Sequence, residues 1–177
     1  MTGDSIPVPV AGRLLVATPE LSDPNFSHTV VLLLAVRPEG ALGIVLNRAS
    51  DRRVDEVLPR WADRVATPAV VFFGGPVGLD SVVGLSAQGA VDLDDAMFGE
   101  AVPDDDGTSE IRLFAGSAGW GADQLELEVA QGSWWVFDVE PGDVTTSDPD
   151  TLWQRVLRRQ PGRTSWFALA TADPSLN

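Results

Sequence analysis

The sequence predicts a single α+β domain built on a mixed, mainly antiparallel sheet. Three observations carry that expectation. The chain has 177 residues, 44% of them hydrophobic, enough to close one core without staples. Apolar segments of strand length outnumber segments of helical period, and they lack the regular strand–helix alternation of a doubly wound sheet. Two of these segments, Thr29–Val36 and Ala41–Asn47, are joined by the turn RPEG, which pairs them as an antiparallel hairpin.

Each element has its own local reason. Residues 1–11 are expected to be a flexible N-terminal segment, and Gly12–Thr18 (GRLLVAT) reads as a short strand. A turn-rich link, ATPELSDPNFSH, leads into the buried strand Thr29–Val36. Pro38 presets its own dihedral and Gly40 tolerates positive φ, so the turn falls between them. From Asp51 onward, Val54, Val57, Leu58 and Trp61 line one face of a helix that Pro59 interrupts. Ala69–Phe73 is a strand ending at Gly74-Gly75-Pro76, and Ser81–Ser86 is a second short strand. The acidic stretch from Asp92 to Gly107 reads as a long exposed connection with one helical turn.

IRLFAG, from Ile111, is a strand that enters AGSAGWGADQLELEV, read as a strand-to-helix corner. Asp123 and Glu126 form a D-x-x-E capping arrangement at the helix start. Leu125 and Val129 face the core, Gly132 ends the helix, and Leu127 is left on a poorly buried face. Leu125, Leu127 and Val129 also alternate with glutamates as a strand would, but the helix-forming composition and the glycine stop favour helix. Ser133–Val139 is an aromatic-rich strand. SDPDTLWQRVLRRQPG contains the clearest helix: Ser147 or Asp148 caps it, Pro149 suits its first turn, and Leu152, Trp153, Val156 and Leu157 form its apolar stripe.

Composition removes several chemistries. There is no cysteine, which excludes thiolate nucleophiles and cysteine-based zinc or iron–sulfur sites and is compatible with a reducing cytosol. All twelve basic residues are arginine, so a P-loop lysine and a Schiff-base lysine are unavailable. His28 is the single histidine, so no multi-histidine metal site can form within one chain. MTGDSIPVPV lacks the basic start of a secretory signal, and the apolar run Val30–Val36 is far below the roughly 20 residues of a membrane helix. A soluble, cytoplasmic protein is expected. The net charge of −14 repels nucleic acid.

The glycine order of AGSAGWG, G-x-x-G-x-G, is not the dinucleotide fingerprint G-x-G-x-x-G. A phosphate cradle is therefore not expected there. In order along the chain, ATPELSDPNFSHTVVLLL, GALGIVLNR, FFGGPVG and GSAGWGADQLELEVAQGSWW resemble the conserved blocks of the YqgE/AlgH family across nearly the whole length. The resemblance implies a compact α+β domain with a partly barrel-like, branched sheet surrounded by helices. It also implies a proposed role in transcriptional regulation, and it brings no established catalytic residues. Ala49, Ser117 and Leu127 depart from the family's pattern, where a proline, an aromatic and a polar residue are usual.

The candidate ligand-binding residues are Asn47 and Arg48, Gly74, Gly75 and Pro76, and Gly116 and Trp120. A guanidinium at a strand end can take a carboxylate or phosphate, and bare glycine backbone lets a ligand approach. Trp120, with Trp134 and Trp135, offers either a stacking surface or core packing. His28 beside Ser27 and near Asp23 is the only conceivable hydrolytic set, and no G-x-S-x-G elbow accompanies it. Asp104-Asp105-Asp106 lacks calcium-loop spacing, and no metal or cofactor is expected. The leading functional expectation is a non-enzymatic binding or regulatory protein acting through a protein or small-ligand partner. An enzyme using carboxylates or His28 is the alternative; direct DNA binding through Arg155, Arg158, Arg159 and Arg163 is the third.

Overall fold

A computed structural model describes residues 7–91 and 110–169. The acidic stretch from Asp92, including Asp104-Asp105-Asp106, lies outside the described residues, as does the start of the N-terminal segment. Nine strands form one mixed sheet: β1 (Arg13–Ala17), β2 (Val30–Arg37), β3 (Gly40–Val45), β4 (Ala49–Arg53), β5 (Val70–Phe73), β6 (Val77–Ser86), β7 (Gly89–Val91), β8 (Ile111–Gly121) and β9 (Trp134–Asp138). The main path runs β4-β5-β8-β3-β2-β1-β9, with β6 branching from β8 and β7 pairing β6. It does not close on itself.

The predicted hairpin is present: β2 and β3 are antiparallel, with Arg37 opposite Gly40. Period-two alternation explains why β1 and β2 read as unbroken apolar runs. Leu14, Val16, Val30 and Leu32 pack on one face with Leu152, Trp153, Val156 and Leu157. Leu15, Ala17, Val31 and Leu33 pack on the other with Leu125, Val129, Trp120 and Trp134. Each face is covered by one helix, Leu152–Arg158 on the first and Gln124–Ala130 on the second, so neither face needs polar residues. A third cluster, Val54, Trp61, Val71, Ile111 and Leu113, sits under the broken helix Val54–Val57 and the 3-10 turn Pro59–Trp61.

β8 is the branch point. Its first half pairs with β6 over Ile111–Ser117 and, in parallel, with β5 at Phe114 and Ala115. Its last residues pair with β3, Gly121 opposite Gly40 and Ala118 opposite Gly43. The strand therefore continues through AGSAGWG to Gly121, and the turn into the helix falls later than the sequence suggests. Gly119 and Gly121 are held in the strand by Leu42 and Gly40 on β3, whereas Gly116 sits at φ 75° where the pairing with β6 shifts register.

Two local expectations are corrected, and one further element appears. Asp123 makes no side-chain cap, because its own backbone is left-handed at φ 61°; Gln124 Oε1 instead accepts the Gly121 N–H at 3.0 Å. The C-terminal helix opens with a 3-10 turn at Pro149–Thr151 and has no side-chain cap on its backbone, since the Asp148 carboxylate is engaged by the Thr151 hydroxyl at 2.8 Å. Beyond the Pro161-Gly162 stop, a further short helix forms at Thr164–Phe167. The remaining features agree: Leu125 and Val129 are buried, Leu127 is 59% exposed, and Gly132 sits at φ 81° just past the helix.

Candidate functional site

A cleft of about 290 Å³ opens where the ends of β3 and β5 meet the start of β6. Asn25, Val45, Arg48, Phe73, Gly75, Pro76 and Leu79 line it. Three of these, Arg48, Gly75 and Pro76, are among the candidates named from the sequence. Two more candidates, Gly74 and Gly116, form the floor beneath it. A Cβ on Gly74 would collide with the Gly116 carbonyl, and one on Gly116 with the Gly75 carbonyl and the Leu79 methyl. On Gly75 it would run into the Ser117 backbone. Gly75 at φ 152° and Gly116 at φ 75° also hold conformations that favour glycine. Backbone crosses backbone here without side chains between.

Hydrogen bonds fix that crossing. The Gly74 N–H donates to Ala115 O, the Gly74 carbonyl accepts the Val45 N–H, and the Phe73 N–H donates to Arg48 O, each at 2.8 Å. Asn47 clamps the strand entrance opposite: its Oδ1 accepts the Val30 N–H and its Nδ2 donates to His28 O, both at 2.9 Å. Arg48 donates to Pro24 O at 3.2 Å and Ser27 O at 2.8 Å. The loop it grips is itself braced, since the Asp23 carbonyl accepts from the Phe26 and Ser27 N–H groups. Asn47 is thus a staple behind the cleft rather than part of its wall.

Arg48 is the only charged residue lining the cleft, and among the described residues no carboxylate lies within ion-pair distance of it. Two of a guanidinium's five N–H donors suffice for the loop carbonyls, which leaves three. The apolar wall is exposed: Phe73 is 50% and Leu79 55% accessible, and Val77 at 58% continues it outward. Phe73, Val45, Leu79 and Asn25 escaped sequence reading. Asn25 had a signal, as part of the D-P-N-F block, and Phe73 immediately precedes the glycines.

The other candidates lie elsewhere. Trp120 is only 6% exposed and belongs to the core. Its indole N–H donates to Glu128 Oε2 at 3.0 Å, the same oxygen accepts from Trp134 at 2.9 Å, and Glu128 Oε1 accepts from Gln124. Phe26 packs against both indoles. The signature W-x-x-x-Q-L-E-x-E is a closed network that leaves no indole face for a ligand.

His28 stands in the left-handed region at φ 57°, shares a hydrogen bond with Ser27 Oγ at 2.9 Å, and lies edge-on to Trp153. The Asp23 carboxylate is turned to the Asn25 N–H at 2.8 Å, so the three do not line up as a relay. Among the C-terminal arginines, Arg159 pairs with Asp143 and Glu140, and its pKa is raised by the Asp143 hydrogen bond despite partial burial. Arg155 donates to Thr146, Thr151 and Asp148. The sequence gives no warning of Arg112, fully buried over the Phe72 ring and donating to Thr146 O and Thr67 O. Burial pushes it down to about 10, against a weaker opposing pull from Glu110. Among the described residues no group of His, Asp and Glu is arranged to hold a metal, and no helix is long and apolar enough to cross a membrane.

Solved structures share this fold. The chain is 46% identical to UPF0301 proteins from Streptomyces avermitilis and Streptomyces coelicolor, each alignment covering 95% of both proteins. The crystal structure of a Corynebacterium diphtheriae protein superposes with a TM-score of 0.82 at 29% identity, covering 95% of this chain and 99% of that one. The solution structure of the AlgH protein from Pseudomonas aeruginosa matches with a TM-score of 0.65 at 27% identity, over 98% of this chain and all of that one. A family model described as AlgH-like matches residues 14–165, and the chain belongs to that AlgH-like family.

Proposed function

We propose that this AlgH-like protein is a non-enzymatic binding protein that acts in the cytoplasm, and that the cleft at Arg48, Gly75 and Pro76 is its ligand site. The observation that supports this reading is the rigid glycine crossing under an open, largely apolar cleft with one arginine free of carboxylates. Such a combination of apolar wall and few placed polar groups is the ordinary build of a small-ligand site. A regulatory role, including regulation of transcription through a partner, follows if occupancy of the cleft alters an exposed surface. The catalytic alternative would need groups other than a Ser27–His28–Asp23 relay, because the Asp23 carboxylate is turned to the Asn25 N–H. Direct DNA binding fits poorly with a chain of net charge −14 in which two of the four C-terminal arginines, Arg155 and Arg159, are committed to internal acceptors.

A thermal-shift screen of small metabolites against the wild type and Leu79→Glu tests the assignment. Ligands should stabilise the wild type and lose that effect in the variant, whose exposed position tolerates substitution. Stabilising ligands that are indifferent to Leu79→Glu would place the site elsewhere.

A further inference from the structure

We infer that the cleft selects a small monocarboxylate with a short apolar body; this rests on the reading of the cleft as the ligand site. Charge sets the class. The chain contains no lysine, and among the described residues Arg48 is the one cation lining the cleft. A single guanidinium with three remaining donors matches one carboxylate in a bidentate fork. A phosphate dianion would leave a charge uncompensated within a protein of net charge −14.

Rigidity sharpens the choice. Arg48 is held by Pro24 O and Ser27 O, so it cannot swing out to follow a ligand, and the carboxylate must come to it. Val45, Phe73, Pro76 and Leu79 make most of the rest of the wall apolar, with Asn25 the one other polar side chain lining it among the described residues, and they supply contact for a hydrocarbon body. Size agrees with that class. About 290 Å³ lies at the lower end of ligand-pocket volumes, which matches a short-chain or branched acid.

The test is an NMR titration of uniformly ¹⁵N-labelled full-length protein with hexanoate, hexanamide, hexyl phosphate and N-acetyl-Gly-Ala-Leu. Hexanoate should shift the amides of Phe73, Gly75 and Leu79 and the Arg48 Nε–H, with hexanamide at least tenfold weaker. Arg48→Gln should abolish the preference for acid over amide. Because that variant also releases the loop 23–28, Leu79→Glu provides a second check, and it should weaken hexanoate more than hexanamide. Equal binding of acid and amide, tighter binding of hexyl phosphate, or tighter binding of the peptide would each overturn the assignment of ligand class while leaving the cleft as the site. Ligands that shift none of these residues would overturn the cleft itself.

Discussion

At its C-terminal end, β8 carries Trp120, whose indole is fastened to Glu128 together with that of Trp134. Earlier on the same strand, Gly116 lies under Gly75 and Leu79 and supports an open cleft. Both regions belong to one glycine-rich segment, and both carry residues that a binding site could use. The difference lies in what satisfies them. At the tryptophan end every polar tip finds a protein partner, and the aromatic surface is covered by Phe26 and the helix Gln124–Ala130. At the glycine end the backbone is satisfied, but among the described residues Arg48 has no counter-charge, and Phe73 and Leu79 are half-exposed. Unspent chemistry, not richness in aromatic residues, marks the site.

The largest expected effects come from placing a methyl group into the crossing. Gly75→Ala and Gly116→Ala should each lose about 3–5 kcal/mol in denaturant unfolding, from backbone collision added to an unfavourable φ. Gly119→Ala on the same strand is the control, because its Cβ would meet nothing nearer than Ala41 O at 4.0 Å. It should stay within about 0.5 kcal/mol of the wild type. Equal losses at all three positions would erase the distinction between a tight crossing and an ordinary strand glycine.

Next in size is the tryptophan end. Glu128→Ala leaves two indole N–H groups without their acceptor and should cost about 2–3 kcal/mol; Glu128→Gln keeps one acceptor oxygen and should cost about 1 kcal/mol. The measurement is again denaturant unfolding, with the Trp120 and Trp134 indole N–H resonances shifting in both variants. Neither variant should change ligand affinity at the cleft.

Arg112, at the start of β8, gives an effect that depends on pH. Its folded pKa is lowered to about 10 by burial, so above that pH the folded state binds fewer protons than the unfolded chain. Stability therefore rises with pH through this window, by up to about 1.4 kcal/mol per unit. The chain has no lysine, tyrosine or cysteine to titrate alongside it. Unfolding midpoints between about pH 9.5 and 11 should accordingly rise in the wild type relative to Arg112→Met. Parallel pH profiles for the two proteins would show that the buried guanidinium keeps its proton. Arg48→Ala should cost about 1 kcal/mol for two partly exposed hydrogen bonds, together with loss of carboxylate binding.

The sequence makes the covered parts of the fold readable. β1, β2 and the stripe Leu152, Trp153, Val156 and Leu157 are buried on local patterns that burial alone dictates. β4 is hidden because ASDRR is polar and exposed, and only its pairing with β5 makes it a strand. The glycines of β8 suggest a corner because the strand continues through them only with ladder partners distant in sequence. For the cleft, Arg48 and Gly74-Gly75-Pro76 stand out as residues, since a planar cation at a strand end and a Gly-Gly-Pro exit are local signals. Their convergence is not legible, because it depends on the parallel contact of β5 with β8. Trp120 misleads for a related reason: its partner Glu128 is brought beneath the indole only by the turn at Asp123 and the helix after it.

The most direct test of the contrast between the two ends of β8 is a crystal structure of the full-length protein with hexanoate. The carboxylate should lie against the Arg48 guanidinium and the hydrocarbon chain between Phe73, Pro76 and Leu79, with Trp120 and Trp134 still bonded to Glu128. Hexanoate lodged among the indoles, or bound with its carboxylate away from Arg48, would contradict it.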